Sequence, residues 1–192
     1  MSEVLSIKNE LLRKSIHICN SLFAYALCFF NQREFAIIIG FCTIVILLFE
    51  IARIRSQKLN RLFMRLLGQI IRDFEGKGRL TGATYVMVSS FFILIFFDKY
   101  VCITSILIMS YSDTAAAIIG KKYGKTKIFN KTLEGSLAFF FSSLIIILAI
   151  YPEINLALGL IAIFLATLVE SLPIKIDDNL TVPLTLAIIL SI

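Results

Sequence analysis

Residues 110–138 read SYSDTAAAIIGKKYGKTKIFNKTLEGSLA. A single acid, Asp113, stands in an apolar run. Two glycines follow, Gly120 and Gly124, with five lysines and no acid among them: Lys121, Lys122, Lys125, Lys127 and Lys131. Glu134 and Gly135 then open another apolar run. Glycines let a backbone approach phosphates, and lysines supply point charges for a polyanion. Asp113 precedes Gly120 by seven residues, so on a helix it lies roughly 10 Å below the loop. An ionisable group at that depth costs at least a few kcal/mol unless it is paired or in a wet cavity. Asp113 is therefore either a metal ligand facing a cytoplasmic cavity or half of a buried ion pair. Ala116, Ala117 and Gly120 share its face and permit close approach of a helix or a ligand.

The string GKKYGKT is not a Walker A motif. Only three residues separate Gly120 from Gly124 where that motif needs four, and no strand pattern precedes it. Two other charged groups are candidates for the same chemistry. ELLRKSIH places Glu10, Arg13, Lys14 and His17, the only histidine, on one helical face. ESLPIKIDDNLTVP carries Glu170 and then Asp177, Asp178 and Asn179. Carboxylates with an amide suit Mg²⁺, a hard cation that takes oxygen ligands. Capping of the last helix accounts for one of the three more easily than for all.

The elements that must position these residues are membrane helices. The chain has 192 residues, 58% of them hydrophobic, with mean hydropathy +0.90, against about 45–50% apolar in soluble domains. We expect an all-α polytopic integral membrane protein, one domain over 1–192. About seven transmembrane helices are placed near 16–30, 35–52, 83–97, 101–119, 136–151, 155–171 and 181–192. Several fall short of the roughly 20 residues that cross a bilayer unaided. Over 54–73, Leu59, Leu62, Phe63, Leu66, Leu67, Ile70 and Ile71 recur at helical spacing opposite Arg55, Lys58, Arg61, Arg65 and Arg72. That pattern reads as an amphipathic helix in the interface, either a simple anchor or the wall of a lipid path.

With the N-terminus inside, all of the 19 lysines and arginines except Arg33 and Lys99 fall on the cytoplasmic side, as the positive-inside rule requires. The net charge of +6 is then read as facing anionic lipids rather than nucleic acid. Cys19, Cys28, Cys42 and Cys102 form no CxxC pair and are expected to make neither a disulfide framework nor a metal site. No removable signal peptide is expected. Glu50 and Arg53 read as a simple helix pair.

ELLRKSIH, LTGATY (80–85), SDTAAAIIGKKYGK (112–125), NKTLEGSLA (130–138) and DDNLTVP (177–183) together resemble the CTP-dependent polyprenol and lipid kinases: dolichol kinase, phytol kinase and the CTP-dependent diacylglycerol kinase. The resemblance covers most of the chain. Ser112 departs from the glycine that family often has before the aspartate. The pattern is also similar to that of CDP-diacylglycerol synthases. Their C-terminal K-D and H-G-G run is missing here.

The resemblance implies transfer of the CTP γ-phosphoryl group to the hydroxyl of a membrane lipid alcohol: polyprenol or dolichol, phytol, or diacylglycerol. It implies Mg²⁺ held by Asp113 with Asp177 or Asp178, with Asn179 beside them. Lys131, with Lys125 and Arg13 or Lys14, neutralises the triphosphate. Gly120, Gly124, Thr132 and Gly135 complete the phosphate site. Glu134 either holds Lys131 or takes the hydroxyl proton, and His17 is a further base candidate. The lipid tail lies between spans with its hydroxyl at the cytoplasmic interface. The expected location is the plasma membrane in a prokaryote, or the endoplasmic reticulum or plastid membrane in a eukaryote. A CDP-lipid synthase and a transporter are the alternatives. The absence of an acid deep in the outer half counts against transport.

Overall fold

The computed structural model describes residues 7–76, 78–129, 131–150 and 153–192. The side chains of Lys8 and Glu10, and all of Lys77 and Asn130, lie outside the described residues. The fold is all-α. In order come α1 (Ile7–Cys19), α2 (Ser21–Phe29), α3 (Gln32–Arg55), α4 (Gln57–Leu67), the short α5 (Asp73–Gly76), α6 (Gly82–Phe96), α7 (Lys99–Leu107) and α8 (Asp113–Tyr123). The ribbon β1 (Lys127–Ile128) and β2 (Lys131–Thr132) leads into α9 (Leu133–Ile150), α10 (Leu156–Ser171) and α11 (Asp178–Leu190). Asn31, Ser56, Asn155 and Asp177 start α3, α4, α10 and α11 by accepting backbone N–H bonds with their side chains, which satisfies donors left open at helix ends.

Among the described residues, three stretches are long and apolar enough to cross a membrane: Gln32–Arg55, Lys99–Tyr123 and Leu133–Ile150. Gly82–Phe96, Leu156–Ser171 and Asp178–Leu190 are shorter apolar helices. The span expected near 16–30 is instead divided by a turn at Asn20 between α1 and α2. The structure thus supports three spans by length rather than seven.

Lys99–Tyr123 contains one widened turn, a π-helical segment at Ile108–Ser112, immediately before Asp113. Such bulges rotate the following residues relative to a plain α-helix and often occur at functional sites. Here the turn sets the facing of Asp113. Helices α8 and α9 then cross closely. A Cβ on Gly120 would stand 2.9 Å from Thr132 Oγ1 and 3.4 Å from Gly135 Cα, and one on Gly135 would stand 3.0 Å from the Ala116 carbonyl oxygen. The small residues therefore serve helix–helix contact.

The amphipathic segment forms a helix, but α4 ends at Gly68, so Ile70 and Ile71 fall in the turn beyond it. Phe63 is its buried anchor, 5.9 Å from the Phe49 ring and under the Arg53 guanidinium at 4.5 Å. Leu62 and Leu66 stay exposed. Arg53 is fully buried and organises the region. It donates to Glu50 Oε2 (2.6 Å), Asn60 Oδ1 (2.9 Å) and the carbonyls of Glu75 (3.2 Å) and Arg79 (2.8 Å). Thr81 Oγ1 donates to Glu50 Oε1 at 3.1 Å. The Glu50–Arg53 pair is thus the hub that fastens α4 and the 68–81 segment to α3. Glu50→Ala leaves a buried guanidinium without its counter-charge and is expected to cost about 3–5 kcal/mol. The check is a lowered thermal unfolding midpoint of the full chain in detergent.

Candidate active site

Six segments of the chain meet around one polar cavity of about 460 Å³. Arg13 and Lys14 come from α1, Arg72 from the segment before α5, and Asp113, Ala116, Ala117, Gly120 and Lys121 from α8. Lys131, Thr132, Gly135 and Ser136 come from the β2–α9 junction, Glu170 from the end of α10 and Asp178 from the start of α11.

The charges in this cavity alternate. Lys14 donates to Asp113 Oδ2 and is almost fully buried. Lys131 donates to Glu170 Oε1 at 2.6 Å and to Asp178 Oδ2 at 3.1 Å. Arg72 donates to Asp177 Oδ2 at 3.2 Å. Burial works against the Lys131 charge, but the Asp178 and Glu170 carboxylates outweigh it and hold the ammonium above the ordinary lysine range. Burial and the adjacent Asp178 carboxylate push Asp177 above the ordinary carboxylate range.

Of the residues expected from sequence, Arg13, Lys14, Asp113, Gly120, Lys131, Thr132, Gly135 and Asp178 line this cavity. Others lie elsewhere. Asp177 is the N-cap of α11 and partner of Arg72. Asn179 is buried and meets His17 Nε2 at 2.6 Å. Lys125 is exposed on the loop. Gly124 is excluded from bearing a side chain by the Gly120 carbonyl oxygen, 2.2 Å from its would-be Cβ. Glu134 does not meet Lys131; its carboxylate accepts from Thr126 N at 3.2 and 3.3 Å and so shapes the loop.

Glu170 and Arg72 enter the cavity without having been assigned a role in it from sequence. Glu170 stood out only as an acid ending an apolar run, and Arg72 only as one cation of an amphipathic face. Glu170 Oε2 is buried without a hydrogen-bond partner, and such a carboxylate oxygen calls for a cation or a donor.

The donor set is compatible with Mg²⁺. Asp113, Glu170, Asp178 and Asn179 also line a small gap beneath the cavity with Met109, Phe139 and Val182. Among the described residues, no group of three or more acidic, histidine or cysteine side chains forms a ready cage. Mg²⁺ needs none, because it binds through one or two carboxylates together with substrate phosphates and water. Asp113 and Asp178, with the open oxygen of Glu170, are the groups that would hold it.

The apolar helices suggest membrane association, and the pairing of carboxylates with cations around one cavity is an arrangement that can receive an anionic ligand. The comparisons narrow that reading. The chain is 31% identical over 140 residues to the CTP-dependent diacylglycerol kinase 1 of Schizosaccharomyces pombe, covering 70% of this chain and 64% of the relative. It is 31% identical over 203 residues to a Zea mays protein named "Probable phytol kinase, chloroplastic", covering 93% and 65%. It is also 31% identical over 181 residues to an uncharacterised protein of Rickettsia prowazekii, covering 90% and 89%. These matches support a CTP-dependent lipid kinase family for the chain, which spans just under two thirds of the length of these two kinases. No family model and no solved structure matches it.

The Lys131 bridge has a defined pH signature. Its folded pKa is raised, so its contribution to stability is complete below the ordinary lysine value of 10.5 and is lost as pH rises through the higher folded value. Lys131→Gln is expected to lower the thermal midpoint by a constant amount at neutral pH. The gap to the unaltered chain should close only in the alkaline range, read by thermal unfolding across a pH series.

Proposed function

We propose that this cavity transfers the γ-phosphoryl group of CTP to the hydroxyl of a membrane lipid alcohol on the cytoplasmic side of the bilayer. The observation that carries the reading is the interleaving of Asp113, Glu170 and Asp178 with Arg13, Lys14, Arg72 and Lys131 around a single cavity. Phosphoryl transfer asks little covalent chemistry of a protein. It asks for positioning and for neutralisation of charge on the transferring group. Lys14 and Lys131 are preorganised for that, each held by carboxylates at the cavity wall. Mg²⁺, when bound, supplies neutralisation of the phosphate oxygens.

Arriving phosphates compete for the same cations. Lys131 reaches two carboxylates at once, so it can shift towards the phosphates and release carboxylate oxygens as it moves. The tight α8–α9 contact at Gly120, Thr132 and Gly135 forms a close floor beneath the triphosphate. Arg13 and Lys121 also line the cavity. CTP is taken as donor, in preference to ATP, from the names of the kinase relatives.

The test is an assay of the full chain in detergent–lipid micelles with γ-labelled CTP, Mg²⁺, and polyprenol, phytol or diacylglycerol. Label in a lipid phosphate, with CDP released, is the expected result. Label from α-labelled CTP in the lipid instead would identify a CDP-lipid synthase. Asp113→Asn keeps an amide oxygen to accept from Lys14 and is expected to fold. It should lower the transfer rate by at least about 100-fold. Retained transfer in that variant would remove Asp113 from the metal site.

A further inference from the structure

A second cavity, of about 400 Å³, adjoins the first and differs from it in character. Its walls are Ile46 and Phe49 of α3, Phe63 and Leu67 of α4, Ile70 and Ile71 beyond it, and Ala83, Val86 and Met87 of α6. Its volume falls within the roughly 300–1,000 Å³ of small-molecule sites. Arg13 lines both cavities, and His17 and Asn179 stand at the end of the apolar one nearest Asp113.

Three of the polar groups bordering this apolar cavity, Glu50, Thr81 and Glu75, are engaged within the protein. Thr81 and Arg53 occupy Glu50. Glu75 accepts from Gly82 N through Oε1 and from Arg72 N through Oε2, both at 2.9 Å. His17 is different. Its Nε2 faces Asn179 Oδ1, an acceptor, so Nε2 carries the proton. Its Nδ1 therefore presents a lone pair. That nitrogen is buried, has no hydrogen-bond partner, and lies 3.6 Å from Asp113 Oδ2.

We propose that the apolar cavity seats the chain of the acceptor, an uncharged lipid alcohol, with its hydroxyl at His17 Nδ1. This rests on the kinase reading and adds to it the acceptor's location and the proton's destination. The polar cavity delivers the γ-phosphorus from one side and the apolar cavity the hydroxyl from the other, with Asp113 and His17 at the boundary. The hydroxyl oxygen attacks the γ-phosphorus, and its proton passes to Nδ1. The bond from the γ-phosphorus to the bridging oxygen breaks, and CDP leaves with that oxygen's electron pair. The imidazolium is stabilised by the Asp113 carboxylate. A lipid whose only polar function is a hydroxyl fits a wall whose carboxylates are already engaged, whereas a cationic headgroup would find no open carboxylate. The exposed apolar face of α4, with Leu62 and Leu66, marks the side from which a lipid arrives.

The acceptor's source is left to two arms of the experiment, phytol with one chain and dioleoylglycerol with two. Each is offered to the purified full chain with CTP and Mg²⁺. Ala83 is exposed into the cavity, so Ala83→Phe fills it without displacing core. The expected result is a KM for the accepted lipid raised by at least about tenfold, as loss of methylene-sized fits commands, with the KM for CTP unchanged. Phe49→Ala widens the same cavity and should shift preference towards the bulkier lipid. His17→Gln should lower kcat by about 100-fold or more with little change in lipid KM. Transfer that persists with unaltered lipid KM and preference in both cavity variants overturns the siting of the chain while the kinase reading stands. Unaltered kcat in His17→Gln overturns the proton's route. Absence of transfer to any lipid by the unaltered chain overturns the kinase reading and this inference with it.

Discussion

A charge held in apolar surroundings must have a partner or be lost to protonation, and this chain places its acids and cations where that rule is strict. Asp113 is held by Lys14, Glu170 and Asp178 by Lys131, Glu50 by Arg53. These pairs join α1 to α8, the β2–α9 junction to α10 and α11, and secure the α3 end near α4. Helices so apolar have little in their side-chain patterns to choose one neighbour over another within a bilayer. Buried ion pairs of this kind specify register, and they do so whether or not they add net stability.

The same pairs divide into two kinds. Arg53 is closed: every contact it makes is with protein, and the hub it forms faces no polar cavity. Lys14 and Lys131 are open, since both line the cavity shared with Arg13 and Arg72. A cation in the first setting fixes structure. In the second it can exchange a carboxylate for a phosphate at modest cost, because the replacement is again anionic. On the proposed reading the carboxylate released becomes available to a hard cation, so that one set of charges would serve both the ligand-free pairing and the substrate-bound arrangement.

Much of this was legible in the sequence, and unevenly. The helical apolar runs, the amphipathic stretch near α4 and the choice of Asp113, Lys131 and Asp178 as candidates, which the structure brings to one cavity, follow from residue type and local spacing. Partner identity does not, because Lys14 and Asp113 are 99 residues apart and Lys131 and Asp178 are 47 apart. Glu134 stands three residues after Lys131, which on a helix would bring them together. The helix begins only at Leu133, so that spacing rule does not reach Lys131, and Glu134 turns to Thr126 instead. Asp177, Asp178 and Asn179 look equivalent as a run, yet the start of α11 sends them three ways: to Arg72, to Lys131 and to His17. The stretch expected as one helix near 16–30 is two, because hydropathy does not register a turn at Asn20.

The π-helical turn before Asp113 connects these observations. Ile108–Ser112 inserts extra backbone into a 25-residue apolar stretch, and no pattern of residue types announces it. The turn directly precedes Asp113, which lines the charged cavity and stands 3.6 Å from His17 of the apolar one. An enzyme joining a polyanion to a lipid must bring together substrates that prefer opposite surroundings. The rotation of a single helix turn places Asp113 between α1's Lys14 and His17, where the two surroundings meet. On the proposed reading the fold solves a partition problem before a chemical one, and the chemistry would use charges that the partition had already required.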